Sequence, residues 1–353
     1  NETINWKPAS TGEGRFGKWL ENLVDWNLSR SRYWGTPLPI WSTADGSERK
    51  CIGSVEELIN EIEKSVGAGL MKNNPYEGFV VGDYSSENYQ KIDLHRPWVD
   101  TIVLRSSTGS PMHREPDLID VWFDSGAMPY AQWHYPFENS ENFQNLFPAD
   151  FIAEGVDQTR GWFFTLHAIA TMISDGVSFK NIISNGLVLD KHGNKMSKRL
   201  NNTVDPFEVM ELHGADALRW YMMTNAQPWD NLKFDLDYDD DNKPVYTGIE
   251  EVKRKFFGTL HNTYSFFALY ANVDNYCGID PPVPVAQRSE LDRWIISLLN
   301  SLIKEVKEHY ENYEPTRAGR AIQTFVNDHL SNWYVRLGRK RYWGGEYDLD
   351  KIS

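Results

Sequence analysis

The sequence has little cysteine, a deficit of positive charge and no long apolar run. Its two cysteines, Cys51 and Cys277, stand far apart without a partner motif, so neither a disulfide framework nor a bound zinc ion is expected. No signal peptide or membrane-spanning run is visible, which favours a cytoplasmic protein without a membrane partner. The 353 residues are 41% apolar, enough for two hydrophobic cores or more.

The net charge of -14 is unfavourable for binding RNA over the whole surface, because the phosphate backbone attracts cations. An RNA contact would need a local basic face, while the acidic run at 235–241 would repel RNA elsewhere. The same cations could instead complement the dipole of a solvated helix end, and the sequence leaves both interpretations open. The candidate cations are Arg336, Arg339, Lys340 and Arg341.

The most informative segment is the basic run KMSKR at 195–199. A strong strand is predicted over 182–189, and the turn residues at 190–194 reverse the chain before the basic run. Lys195 and Lys198 suit a polyphosphate, since cations on flexible stems can stabilise the charge that builds on a leaving pyrophosphate. Taken alone, such a run is more often a solvated basic hairpin.

A second segment favours ligand binding. A short strand ends at Gly155, and an apolar-periodic helix is predicted over 162–173, before the strand at 182–189. Strand, helix and strand form one crossover unit, which should be parallel and right-handed. Gly155 and Gly186 then fall at the carboxyl ends of neighbouring strands, where open α/β sheets bind ligands. Because glycine has no Cβ, a ligand can approach the backbone there.

Asp157 and Gln158 follow the first of these strands directly. The carboxylate of Asp157 can accept hydrogen bonds from ribose hydroxyls, and the amide of Gln158 can both donate and accept. Capping of the next helix is the alternative, since polar side chains are favoured at helix starts. The position at a strand end favours ligand binding over capping alone.

A third segment, DVWFDSGAMPY at 120–130, is predicted as an aromatic strand that stops at an Asp-Ser-Gly turn. Trp122 would lie near that turn, where its side chain can form the wall of a pocket. A tryptophan in an apolar run is more often part of the core. Trp162 favours the pocket over the core interpretation, because two such rings facing each other could enclose a small aliphatic group.

The organisation is an α/β sheet unit followed by helices. The sheet unit occupies about 119–190 and follows an insertion at about 42–118. The helix of the insertion, 55–66, begins with a capping box at Ser54. From about 243 onward the pattern is helical, and three long antiparallel helices of a bundle are predicted.

Several ordered segments resemble class I aminoacyl-tRNA synthetases, and the match runs from about Ile4 to Trp343. Their residues are most similar to those of the isoleucyl-tRNA synthetase family, in the eukaryote-like branch that some bacteria also carry. The segments are WNLSRSRYWGTP at 26–37, DVWFDSG at 120–126, AMPYAQ at 127–132, EGVDQ at 154–158, KMSKR at 195–199 and NWYVR at 332–336.

The resemblance implies the C-terminal half of a parallel, Rossmann-like nucleotide-binding fold with an insertion, followed by an all-α helical bundle. Residues 1–235 would form a partial catalytic domain, in which about 190–235 is the basic-loop and linking region. Residues 236–353 would form a truncated anticodon-binding domain. None of the nine histidines has the His-x-Gly-His spacing of the family's other catalytic turn. We therefore expect a fragment without the editing domain and the first strands, inactive by itself.

The resemblance also implies the reaction. The enzyme would condense isoleucine with ATP to an aminoacyl-adenylate and transfer the acyl group to the terminal ribose of tRNA(Ile), acting as a monomer. Lys195 and Lys198 would meet the pyrophosphate and the charge of the transition state, and Ser197 would order the loop. Magnesium (Mg2+) is implied by the ATP chemistry, although the sequence names no ligand for it.

The remaining contacts carried over from the family fall into three groups. The first holds the ribose and the polar atoms of the amino acid, the second presents backbone to adenine, and the third encloses the aliphatic side chain. The first group is Gly155, Asp157 and Gln158. The second is Gly186, Leu187 and Val188, together with Asn185, which stands where bacterial relatives often have histidine. The third is Trp122 and Trp162, with Glu154 in the same pocket.

Two alternatives stay open. Valyl and leucyl synthetases share this architecture, and a difference of one methylene in a pocket is worth only ~1 to 3 kcal/mol. A non-catalytic tRNA-binding module derived from a synthetase is the second alternative. An in-frame His-x-Gly-His and an editing domain upstream would support the enzyme, whereas a start codon near Asn1 would support the module.

Overall fold

The computed structural model describes residues 1–200, 202–241, 243–278, 283–344 and 346–353. Two compact units can be separated, and we refer to them as unit 1 and unit 2. No helix in the described ranges is long and apolar enough to cross a membrane. Unit 1 consists of Asn1–Asn5, Glu13–Phe151 and Asp157–Asn181, and unit 2 of Trp6–Gly12, Ile152–Val156 and Ile182–Ser353.

The strands are short and form several small sheets. In the part of the chain that the structure describes, one sheet has the order β1-β9-β8, one has the order β4-β3-β6-β5, and three are pairs: β2 with β7, β10 with β11, and β12 with β13. The strands are β1 Asn5–Lys7, β2 Ser29–Arg30, β3 Ile40–Thr43, β4 Arg49–Cys51, β5 Val103–Arg105, β6 Pro111–Arg114, β7 Leu118–Ile119, β8 Ala149–Gly155, β9 Phe179–Asn185, β10 Val188–Leu189, β11 Leu232–Lys233, β12 Asp237–Tyr238 and β13 Pro244–Val245.

Helices make up most of the remaining regular structure. The α-helices are α1 Gly17–Glu21, α2 Val55–Gly67, α3 Ser86–Tyr89, α4 Val121–Ala131, α5 Ser140–Leu146, α6 Trp162–Ser174, α7 Pro206–His213, α8 Ala215–Asn225, α9 Thr247–Val252, α10 Gly258–Val273, α11 Glu290–Glu311, α12 Pro315–Thr324, α13 Arg336–Trp343 and α14 Leu349–Ile352. Within the described ranges, three π-helical segments and four 3-10 segments join them. The π-helical segments are Thr11–Phe16, Lys253–Phe257 and Phe325–Val335, and the 3-10 segments are Val99–Thr101, Val156–Arg160, Lys198–Leu200 and Val285–Gln287.

The crossover of β8, α6 and β9 is the part of the fold that the sequence predicted best. The two strands are neighbours in their sheet. The Ala149 N–H donates to the Ser178 carbonyl at 2.9 Å where both strands begin, so they run in the same direction. The predicted strand over 182–189 is wrong in its bounds, however. β9 ends at Asn185, and Val188 and Leu189 form the separate strand β10, which pairs in parallel with β11.

The insertion folds around its own core. β4, β3, β6 and β5 form an antiparallel sheet, and Trp41, Ile62 and Leu104 are buried in the cluster beside it. The predicted helix at 55–66 is confirmed by α2, and the Ser54 side chain accepts from the Glu57 N–H as its N-cap. The sheet itself was not anticipated, because strands of three or four residues are too short to show an alternating pattern.

The segment at 120–130 is a helix, and the prediction of an aromatic strand is wrong. Asp120 caps α4 by accepting from the Trp122 N–H. Gly126 lies where α4 packs against α6, and a Cβ there would stand 2.9 Å from the Thr165 carbonyl oxygen. The local pattern favoured a strand because aromatic residues fit pleated sheets. The cap and the close approach of two helices override that preference.

Unit 2 contains the predicted long helical segments. They run over 247–273, 290–311 and 315–343, and π-helical turns interrupt the first and the third. Their core includes Phe256, Ile295, Phe325 and Val326. The Trp220 ring of α8 stacks on Phe256 with a centroid distance of 4.3 Å, so this core continues to the helices that follow the basic loop.

Candidate functional site

The basic loop of unit 2 begins in a turn that Asp190 organises. The Asp190 N–H donates to the Asn194 carbonyl, and its Oδ1 accepts from the backbone N–H groups of His192 and Asn194 at 3.0 and 2.8 Å. The hydrogen bond from the Asn202 side chain is the largest of the causes that lower the pKa of Asp190 to about 2. Asp190 is therefore a fixed anion at neutral pH.

Asn202 ties the loop to this turn. Its Nδ2 donates to Asp190 Oδ2 at 2.9 Å, and its Oδ1 accepts from the Ser197 N–H at 2.8 Å. The Ser197 Oγ accepts from the Leu200 N–H at 3.2 Å, at the start of the short 3-10 turn that carries Lys198. Ser197 therefore orders the loop locally. Asn202 could not be recognised from the sequence, since an asparagine after a basic run has no distinctive spacing.

The cations of this loop face solvent. Lys195, Lys198 and Arg199 are exposed, whereas Met196 between them packs against the core of unit 2. Lys191, at the start of the turn, pairs instead with Asp237. The loop thus has an anchored backbone and exposed positive side chains, an arrangement able to bind an anion such as a polyphosphate.

The segment at 185–188 agrees with the prediction only in part. A Cβ on Gly186 would stand 2.4 Å from the Asp230 carbonyl oxygen, so the glycine accommodates the close approach of the neighbouring chain. The N–H of Gly186 donates to the Pro228 carbonyl, and that of Leu187 to Asn231 Oδ1, both at 2.9 Å. The backbone donors of Gly186 and Leu187 are therefore already engaged.

Val188 is different from its neighbours. It pairs with Leu232 in the parallel ladder, and Leu187 and Leu189 supply the carbonyl oxygens that β11 uses. Because backbone groups alternate in direction along a strand, the N–H and C=O of Val188 point away from β11. Of the three backbone contacts predicted for adenine, Val188 has the orientation to make one.

In unit 1, the polar residues before α6 combine the two predicted roles. Gln158 Oε1 accepts from the Trp162 N–H at 2.9 Å, and Gln158 Nε2 donates to Asp157 Oδ2 at 3.3 Å. Gln158 is thus a capping residue, which is the alternative that the sequence analysis ranked second. Asp157 remains exposed. Glu154, which belongs to unit 2, is exposed as well.

The two tryptophans predicted for the amino-acid pocket lie at the starts of two packed helices. Trp162 Nε1 donates to the Ser125 carbonyl in α4 at 3.1 Å. A Cβ on Gly161 would stand 3.4 Å from Trp122 Cη2, so the Trp122 ring lies against the backbone just before Trp162. Trp122 keeps 42% of its surface exposed. Both rings lie where α4 and α6 begin, and their role in a pocket stays a prediction.

Asp120 holds the start of α4 and was not recognised as a site residue. It is 5% exposed, and its Oδ2 accepts from Trp26 Nε1 at 2.9 Å and from Arg30 Nη2 at 2.7 Å, while Oδ1 caps the helix at Trp122. One turn further, burial raises the pKa of Asp124. The sequence signal was present in the WNLSRSR segment, but the contact spans about ninety residues.

The predicted basic face at 336–341 needs one correction. Arg341 Nη1 and Nη2 donate to the two carboxylate oxygens of Asp292 at 2.8 and 3.1 Å, and Asp292 is 1% exposed. Burial would raise the pKa of Asp292, but hydrogen bonds from Arg341, Ser289 and Tyr334 hold it well below its ordinary value. Arg341 is a structural cation, so its predicted contact with tRNA is not supported. The exposed members are Arg336, Arg339 and Lys340.

Comparison with known families identifies the class of protein. Residues 1–235 match the model described as tRNA synthetases class I (I, L, M and V), and residues 292–351 match the anticodon-binding domain of tRNA ligases. The chain belongs to the class I tRNA synthetase family.

Among individual relatives, the chain is 71% identical over its whole length to an isoleucine--tRNA ligase of Bacteroides thetaiotaomicron and 68% identical to one of Porphyromonas gingivalis. It spans about 30% of the length of each. The relatives compared are bacterial, including one of Thermus thermophilus at 44% identity. The expectation of a eukaryote-like branch is therefore wrong.

Solved structures support the same fold at lower identity. A leucyl-tRNA synthetase of Agrobacterium radiobacter K84, in a ternary complex with tRNA and LeuAMS, superposes with a TM-score of 0.56 at 20% identity, covering 94% of this chain and 42% of that one. A Mycobacterium tuberculosis methionyl-tRNA synthetase bound by methionyl-adenylate gives 0.52 at 17% identity, covering 74% and 48%. The predicted α/β fold with a helical region after it is confirmed.

Proposed function

We propose that the full-length protein is an isoleucine--tRNA ligase of the cytoplasm, which forms isoleucyl-adenylate and transfers isoleucine to tRNA(Ile). The observation that carries the proposal is the 71% identity across the whole chain to a relative of that name. The exposed and anchored cations at 195–199 agree with it. A valyl or leucyl enzyme is less well supported, since the relatives between 44% and 71% identity bear the isoleucine name.

The first step needs neither a covalent nucleophile nor a general base. The isoleucine carboxylate attacks the α-phosphate of ATP, a carboxyl-oxygen-to-phosphorus bond forms, and the bond to pyrophosphate breaks. Positioning and electrostatics therefore carry the rate. Lys195 and Lys198 would stabilise the pyrophosphate as its negative charge grows. Magnesium would accompany ATP, but no group of three or more His, Cys, Asp or Glu in the described ranges is arranged as a metal site, and we assign it no ligand.

The substrate contacts follow from the positions already described. Trp122 and Trp162 of unit 1 would flank the aliphatic side chain of isoleucine. Asp157 would accept from ribose hydroxyls or from the ammonium group of isoleucine, while Gln158 supports Asp157 as a capping residue. For adenine, Val188 offers a backbone donor and acceptor on the side away from β11.

The helical region after about residue 236 would bind the tRNA anticodon stem and loop. Arg336, Arg339 and Lys340 are the exposed cations that we assign to phosphate contacts. A strongly acidic chain with net charge -14 confines such contacts to local faces. The protein would act as a monomer.

The test is amino-acid-dependent pyrophosphate exchange by the full-length protein, with isoleucine, valine, leucine and methionine compared. We expect the highest kcat/KM with isoleucine and no exchange by residues 1–353 alone. A preference for valine or leucine would replace the substrate assignment. Exchange with none of them, together with retained tRNA binding, would favour a non-catalytic tRNA-binding module.

The pocket is tested by Trp162→Ala in the full-length protein. Truncating this half-buried aromatic should weaken isoleucine binding by about 2 to 4 kcal/mol and reduce discrimination against larger side chains. The melting temperature separates the pocket from the core interpretation. Normal isoleucine affinity in a protein of much lower melting temperature would make Trp162 a core residue of α6.

A further inference from the structure

Asn202 lies at the centre of the hydrogen bonds that shape the basic loop. Its carboxamide reaches the loop on both sides of Met196: Oδ1 accepts from the Ser197 N–H at 2.8 Å, and Nδ2 lies 3.4 Å from the Lys195 carbonyl oxygen. The same Nδ2 donates to Asp190 Oδ2 at 2.9 Å. One side chain therefore joins the end of the loop to its backbone and to the turn before it.

The chemistry of these contacts requires a carboxamide. The Ser197 N–H needs an acceptor, whereas the Asp190 carboxylate and the Lys195 carbonyl need donors, and asparagine supplies both kinds from one rigid group. An aspartate at 202 would keep the acceptor and lose both donors. It would also place a second carboxylate beside Asp190, whose pKa is already lowered to about 2 by its donors.

The lysines depend on this backbone for their position. Lysine is a compact charge on a flexible stem of four carbons, so the direction in which it reaches is set where its Cα is held. Lys195 carries the carbonyl that Asn202 contacts, and Lys198 follows Ser197 at the start of a short 3-10 turn. Fixing Ser197 therefore fixes the base of Lys198.

We propose that Asn202 is the positioning residue of the basic loop, which sets where Lys195 and Lys198 meet the phosphates of ATP. The inference rests on the proposed function, in which those lysines act on pyrophosphate. Asn202 itself would contact neither isoleucine nor ATP. It acts through the loop backbone, with Asp190 as the fixed anchor of the opposite end.

The experiment measures single-turnover formation of isoleucyl-adenylate by the full-length protein. The amplitude counts the competent molecules, and the rate reports the chemical step in those molecules. For Asn202→Ala and Asn202→Asp we expect a rate about 10²-fold lower, the size of effect that a displacement near 1 Å produces. The amplitude and the KM for isoleucine should stay close to the wild-type values.

Asn194→Ala is the matched control. Asn194 Nδ2 also donates to Asp190 Oδ2, at 3.3 Å. Among the described hydrogen bonds, the Asn194 side chain forms none with Ser197 or Lys195. General loosening of the turn would slow this variant as much as the Asn202 variants. We expect its rate to change less than about threefold, since a side-chain bond in an exposed turn has a small net effect.

A double variant identifies the route of the effect. If Asn202 acts through Lys198, adding Asn202→Ala to Lys198→Ala should slow the reaction far less than it slows the wild type. Full additivity, or a loss confined to the amplitude, would overturn the inference and make Asn202 a residue of folding alone. A normal rate in Lys198→Ala would instead refute the role of the loop in the proposed function, whatever the Asn202 variants do.

Discussion

Two runs of positive charge, at 195–199 and 336–341, look alike in the sequence and are built differently in the structure. In the first, amide groups and backbone hold the loop, and Lys195 and Lys198 extend from it into solvent. In the second, Arg341 turns inward and closes a bidentate ion pair with Asp292, which is 1% exposed.

The difference shows that the role of a basic run cannot be assigned until the carboxylates that pair with its cations are located. Asp190, the anion next to the loop, is satisfied by neutral amide donors, so it neutralises no cation of the run through these contacts. Asp292 lies 49 positions before Arg341 and is buried. A buried carboxylate needs a cation beside it, because an unpaired charge in the interior is costly.

Arg341→Ala should have the largest effect on stability. It leaves Asp292 buried without its guanidinium partner, and removing one member of a buried pair costs about 3 to 5 kcal/mol. Chemical denaturation followed by circular dichroism measures the loss. Arg339→Ala, at an exposed position of the same helix, is the control and should change stability by less than about 0.5 kcal/mol. Equal effects of the two substitutions would remove the distinction drawn between the runs.

In contrast to Arg341→Ala, Lys198→Ala should affect the rate of the reaction and not the stability. We expect the melting temperature to stay near that of the wild type and adenylate formation to slow by about 10² to 10³, the range for losing one stabiliser of transition-state charge. Isoleucine affinity should hardly change, since the charge on pyrophosphate develops only during the reaction. Rapid-quench measurements on the full-length protein give the rate. An unchanged rate would support the alternative interpretation, in which the loop is a solvated basic hairpin.

Arg336→Ala and Arg339→Ala should affect tRNA binding moderately. Each removes one exposed cation, so each should weaken affinity for every tRNA about equally and reduce the slope of log K against log salt by about 1. Fluorescence anisotropy over a range of salt concentrations measures this slope. If neither substitution alters it, these arginines complement the helix dipole and make no phosphate contact.

The smallest effect concerns acid stability. Because the folded pKa of Asp292 lies below its ordinary value of 3.8, its contribution is complete above about pH 4 and is lost as the pH falls further, at up to ~1.4 kcal/mol per pH unit. Asp292→Asn should remove that dependence between pH 4 and pH 2. Asp190→Asn should reduce the slope of unfolding free energy against pH over the same range, because the pKa of Asp190 is also lowered, to about 2. The reduction should be smaller than for Asp292→Asn, because Asp190 lies in a surface turn where solvent screens its contacts. Equal slopes in the two variants would contradict the comparison.

Local signals explain what the sequence predicted correctly. The N-cap of α2 at Ser54 involves residues three positions apart, and the crossover of β8, α6 and β9 follows from periodicity and chain direction. These features can be read from a window of a few residues. The position of the exposed basic loop at 195–199 could be predicted in the same way, because its cations lie within five residues of one another.

Distant contacts explain what the sequence analysis missed. Trp122 was assigned to a strand, because the cap that begins α4 is held by Arg30 and Trp26, far away in the sequence. Gly186 was assigned to a ligand, because nothing local reveals the Asp230 carbonyl against it. Arg341 was assigned to tRNA for the same reason. In each case the deciding atom belongs to a segment that only the fold brings near.

Strand β8 has a practical consequence for handling the protein. It is an outer strand of its sheet, and most of its residues are exposed, including Phe151 at 43%. Outer strands with exposed apolar side chains can pair with a second copy of themselves. Preparations of residues 1–353 should therefore show association that grows with concentration, and dilution rather than added salt should return them to single molecules.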